Sequence, residues 1–124
     1  MPQKITITID GTTLSGELND SASARKIIDR LPMTISMSRW GEEYYGSIGE
    51  SLPMESNARD EMEVGELAYW PPGTAFCIFF GPTPASRGSE PRAASDCNPL
   101  GMLQGDVSGL KKLGHSVSAK IEKS

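Results

Sequence analysis

Three stretches of this chain alternate apolar and polar side chains with a period of two, and that pattern restricts its fold more than any other feature. In "KITITIDGTTLSGEL", Ile5, Ile7 and Ile9 alternate with Lys4, Thr6 and Thr8, and Leu14 and Leu18 resume the period after Asp10-Gly11. In "MTISMS", Met33, Ile35 and Met37 alternate with Thr34, Ser36 and Ser38; near the end, Val117, Ala119 and Ile121 alternate with Ser116, Ser118 and Lys120. Successive side chains of a strand point to opposite faces, so each stretch predicts a strand with one buried and one wet side. Asp10-Gly11 tolerates the positive φ of a tight hairpin turn. The length of 124 residues suits one domain, and 13 Gly with 9 Pro fit a β-rich fold with short connections.

Between these strands the period changes. Ala24, Ile27, Ile28 and Leu31 fall at helical spacing behind the N-cap candidates Asp20, Ser21 and Ser23, and Pro32 ends the run, predicting one short amphipathic helix. Trp40 breaks strand parity just before Gly41, which predicts a bulge or bend and then a second strand through Tyr44, Tyr45 and Ile48. "GESLPMESNARDE" is polar and aperiodic, a surface excursion. Then comes "GELAYWPPGTAFCIFFGPTP", Gly65 to Pro84, with four prolines and all three phenylalanines. Leu67 to Trp70 reads as a strand, Pro71-Pro72-Gly73 as a turn, and Ala75 to Phe80 as a strand apolar on both faces. "GPTPASRGSEPRAASDCNP" reads as a long loop. A strand, a Gly-Asp turn and a helical turn bearing Val107, Leu110 and Leu113 follow, and the last alternating strand is expected to pair with the first and close a barrel.

A net charge of −4, with Lys and Arg scattered, argues against nucleic acid as a partner. No apolar run approaches the roughly 18 residues of a membrane helix, and no apolar leader opens the chain, so we expect a cytoplasmic protein with no membrane partner. Cys77 and Cys97 read as free thiols on that basis. His115 has no second ligand at metal spacing, no serine sits in a nucleophile elbow, and no glycine-rich phosphate loop is present, so neither metal nor cofactor is expected.

With its elements placed, the chain resembles the cyclophilin-like proteins, specifically a prokaryotic family of single-domain barrels without an established activity. The resemblance covers nearly the whole chain and is carried by "WGEEYY" from Trp40, "VGELAYWPPGTAFCIFFGPTP" from Val64 and "NPLGMLQGDVSGLKKL" from Asn98. It implies a closed eight-stranded antiparallel β-barrel with one or two short capping helices. True cyclophilins isomerise Xaa-Pro bonds with an arginine in a Phe-His-Arg context and a Gln-Gly-Gly-Asp segment; this chain has neither, and Arg39 in "SMSRWGEE" does not inherit the role.

An aromatic-lined pocket is the expected functional feature, binding a small molecule or a proline-containing peptide without catalysis. Arg39, Trp40, Tyr45, Tyr69, Trp70 and Phe80 are its candidate residues. Trp70 ends a strand before two prolines, where a flat side chain lies over a pocket mouth or plugs the barrel. Phe76 and Phe80 share parity with Ile78 and equally fit the core. Glu42 and Glu43, adjacent on a strand, point to opposite faces and cannot flank one bond together. Two further readings are a peptidyl-prolyl isomerase with an altered site and, by analogy of fold alone, a piece of a multi-subunit amidohydrolase.

Overall fold

The computed structural model describes residues 2–124. The predicted first hairpin forms from β1 (Gln3–Ile9) and β2 (Thr12–Leu18), and Asp10 and Gly11 between them have φ of +45° and +86°, the sign a two-residue hairpin turn requires. Ile5, Ile7 and Ile9 lose all solvent contact. A helix, α1 (Ala22–Ile28), follows: Ser21 caps it by accepting from the Ala24 amide at 3.1 Å, and it buries Ala24 and Ile27.

Six more strands follow up to the last: β3 (Met33–Arg39), β4 (Glu43–Ser47), β5 (Arg59–Glu61), β6 (Glu66–Trp70), β7 (Ala75–Phe79) and β8 (Arg92–Leu103), before β9 (Ser116–Lys123) ends the fold. Their antiparallel pairings run in a ring through eight strands, β2-β1-β9-β3-β4-β7-β6-β8 and back to β2, while β5 adds to the first half of β8. The last strand does pair with the first, as its alternation suggests, but it lies between β1 and β3; the pairing that completes the ring joins β2 to β8.

Parity then sorts the side chains into two clusters. Ile35, Met37, Tyr44, Leu67, Tyr69, Phe76, Ile78 and Phe80 point inward and pack with the β1, β2 and β9 aliphatics. On the opposite face of β7, Ala75, Cys77 and Phe79 pack with Ala68, Met62, Ala93 and Cys97. Those outer residues are covered because β8 is long: a register shift at Leu67/Ala68 separates its second half, which joins the ring, from its first half, which with β5 lies over the outside of β7 and β6.

Two expectations are corrected here. The loop after Phe80 ends at Pro91, since Arg92 to Pro99 belongs to β8, and the polar excursion contains the three-residue strand β5. β5 buries none of its three charged residues, and Arg92 to Pro99 buries only Ala93, Cys97 and the polar Asn98 among charged and small neighbours, so neither shows the long apolar alternation that marks a strand. The rest of the excursion is tied down by Asn98, fully buried, which donates to Ser23 Oγ and the Pro53 carbonyl and accepts from the Glu55 amide.

Gly46 shows how closely the ring is packed. A Cβ there would lie 2.3 Å from the Ser36 carbonyl oxygen and 2.7 Å from Ile35 Cγ2. Backbone oxygen in a paired strand cannot withdraw cheaply, so Gly46→Ala is expected to destabilise the fold by about 2 kcal/mol or more in urea titration. A midpoint unchanged from wild type would show that β3 and β4 have room to separate.

Candidate functional site

The β3–β4 connection positions the first aromatic. Trp40 opens a tight turn in which its amide donates to the Glu43 carbonyl at 2.8 Å. Gly41 sits at φ +61°, and a Cβ on it would come within 2.8 Å of Pro84 Cδ and Thr83 Cα. Only glycine meets both conditions, the left-handed backbone and the close approach of the 81–91 loop. The bend expected at Trp40 is thus a hairpin turn, buttressed from behind by the loop through the bond from the Glu42 amide to the Pro82 carbonyl.

Strand parity supplies the other groups. Glu43 and Tyr45 alternate on the outer face of β4, opposite Phe79 and Cys77 of β7, and Trp70 closes the end of β6. The Trp70 indole folds back over Gly73, where a Cβ would lie 2.7 Å from Cε3, and its N–H donates to Ser95 Oγ on β8 at 2.7 Å. Between these elements and the overlying β8 is a cavity of about 290 Å³, lined by Trp40, Glu43, Tyr45, Trp70, Ala93 and Ala94. No Lys, Arg or His is among them.

Of the two adjacent acids, which the sequence sets on opposite faces without saying which one enters a pocket, Glu43 is the one in the cavity wall. It is 5% exposed, and burial raises its pKa to about 8, against a smaller lowering by the Cys77 thiol beside it. At neutral pH it is therefore mostly a neutral carboxylic acid. Cys77 is itself pushed well above the ordinary thiol range, first by burial and then by its neighbours Cys97 and Glu43, so it stays protonated, and it donates to the Ala75 carbonyl at 3.8 Å. Glu42, on the other face, lies 3.9 Å from Arg39 and 3.6 Å from Lys111 and stays near solvent.

Of the six residues singled out from sequence, the structure gathers Trp40, Tyr45 and Trp70 and sets three elsewhere. Tyr69 is fully buried, its hydroxyl donating to the Glu50 carbonyl and accepting from the Leu52 amide. Phe80 is buried against Tyr44, ring centroids 5.4 Å apart, and the Arg39 guanidinium lies 5.2 Å from the Phe80 ring centre. That guanidinium donates to the carbonyls of Gly41, Lys111 and Leu113, tying the β3–β4 turn to the 108–113 segment. A second cavity of about 360 Å³ is lined by Phe80, Gly81, Pro82 and residues of the Asp106–Lys111 segment.

A family model described as cyclophilin-like matches residues 3–122. The chain belongs to the cyclophilin-like family. This cyclophilin-like protein is 32% identical to the hypothetical protein AF2241 from Archaeoglobus fulgidus, whose solution structure superposes with a TM-score of 0.82 and a match covering 99% of this chain and 95% of that one. None of the curated proteins compared with the chain matches it. No helix among the described residues is long and apolar enough to cross a membrane.

Proposed function

We propose that this cyclophilin-like protein binds a small molecule or a short peptide segment in the cavity between Trp40, Tyr45 and Trp70, without transforming it. The observation that carries this reading is the convergence of three aromatic side chains, all of them partly solvent-exposed, on one concave site of about 290 Å³ with one carboxyl group in its wall. Apolar concavities with one or few convergent polar groups are how proteins hold small ligands. The isomerase reading lacks its electrophile: the Arg39 guanidinium is engaged by three carbonyls, and no cation lines the cavity.

Both tryptophans of the chain line the cavity, so intrinsic fluorescence reports its occupancy directly. Titration with 3,3-dimethylbutanol, phenol or N-acetylproline methylamide is expected to change that emission and to shift amide resonances around residues 40–45, 70 and 93–95. Trp70→Ala should weaken the binding roughly tenfold, the loss of one aromatic wall. Absence of any change at millimolar concentration with all three probes and with a cationic probe of similar size would sink the reading, and turnover of Xaa-Pro peptides in a protease-coupled assay would replace it with the isomerase.

A further inference from the structure

We propose that the group this cavity takes is an alkylated ammonium, held against the faces of Trp40, Tyr45 and Trp70 with the Glu43 carboxylate as its counter-ion. The inference rests on the binding reading above and narrows it to a ligand chemistry. Three aromatic side chains line one concavity, and the electron-rich faces of such rings attract a cation. The wall adds one carboxyl and no basic group, which disfavours an anion, and the chain carries a net charge of −4. A neutral apolar ligand would gain nothing from the acid, whose burial is costly once it ionises.

Alkylation follows from the apolar character of the wall. A primary ammonium is strongly hydrated and brings three N–H donors, whereas beside the Glu43 carboxyl and the Tyr45 hydroxyl the wall is indole, phenyl and methyl surface, which suits N-alkyl groups. A trimethylammonium head brings no N–H donor, and a volume equal to about ten waters holds it readily.

Cation binding should drive a proton out of the site. Glu43 is mostly protonated at pH 7, its pKa near 8, and a cation alongside favours the carboxylate, so each ligand bound at pH 7 releases about one proton to solvent. The groups facing Glu43 from its neighbours leave that titration to it. From β7 comes the Cys77 thiol, held protonated; from β6, the Trp70 indole, bonded to Ser95; from β8, Ala93 and Ala94, with Cys97 behind Cys77. Tyr45 shares the wall from β4 itself; Arg92 at the start of β8 is bonded to Asp60, Glu61 and Glu90, and Arg39 of β3 and Glu42 of the β3–β4 turn pair with each other on the other face.

The test compares choline with its uncharged isostere 3,3-dimethylbutanol and with ethanolamine, by tryptophan fluorescence and by calorimetry in buffers of different ionisation enthalpy. Choline is expected to bind at least tenfold tighter than either at pH 8.5, to tighten up to tenfold per pH unit between pH 6 and 8, and to release about one proton at pH 7. Glu43→Gln should cost choline tenfold or more and abolish the proton release while leaving dimethylbutanol bound, which also reports an intact pocket. If dimethylbutanol binds as well as choline, the cation inference falls and the pocket reading stands; if ethanolamine equals choline, the requirement for alkylation falls. If none binds, both readings fall. A trimethyl-lysine peptide added as a fourth arm separates sources: tighter binding than choline assigns the head group to a protein side chain, weaker binding to a free molecule.

Discussion

Replacing Glu43 by glutamine is expected to stabilise the protein by roughly 3–5 kcal/mol at pH 9 and to leave its stability nearly unchanged at pH 4. The sign comes from proton counting. The folded carboxyl titrates near pH 8 and the unfolded one near 4.5, so between those values the folded state holds the extra proton. Stability then falls as pH rises through that window, by about 1.4 kcal/mol per unit, and levels off above the folded pKa. Glutamine has no such proton to lose. Urea midpoints for both proteins at pH 4, 6.5 and 9 measure the difference; two parallel pH profiles would mean that Glu43 is hydrated in the folded state and not held neutral by burial.

The same result bears on function. An acid that lowers stability across the neutral range is poor scaffolding, and residues kept at a cost to stability concentrate at working sites. Glu66 makes the contrast: equally buried, it is matched by two bonds from Arg59 and one from the Glu63 amide. Glu43 has no such cation against it, and it faces a cavity.

How much of this was legible in the sequence depends on the face each residue serves. The period of two placed β1, β2, β3 and β9 because each has an apolar side to bury and a wet side to show. It also carried information about the site that goes beyond naming aromatics. Tyr69 shares parity with Leu67, Phe80 with Phe76 and Ile78, and Arg39 with Met37, so all three lie on the inward face or continue it, whereas Trp70 alternates away from Tyr69 and Tyr45 away from Tyr44. Alternation alone thus separates Tyr45 and Trp70 from Tyr69 and Phe80. What it could not supply is the cover. Whether Glu42 or Glu43 is buried depends on what lies over the outer face of β7, and that cover is β5 with the first half of β8, strands whose "RDE" and "RAASDC" resemble loop.

That cover gives the second large expected effect. Arg59→Met is expected to destabilise the fold by about 3 kcal/mol, because it strands the Glu66 carboxylate, 4% exposed, without the guanidinium that lies 2.5 and 3.1 Å from its oxygens. Glu66→Gln should cost much less, since the Arg59 side chain it leaves behind is nearly half exposed and can be hydrated. The double variant should recover most of the Arg59→Met loss, the signature of an unpaired buried charge and not of lost packing; equal costs for both single variants with no recovery would assign the effect to packing instead. Arg59 is also where β5 is fastened to β6, and β5 in turn pairs with the half of β8 that brings Ala93 and Ala94 to the cavity. Weakening this one pair is therefore expected to weaken probe binding at a cavity the arginine never touches, with Glu66→Gln, which leaves no stranded charge, affecting it least.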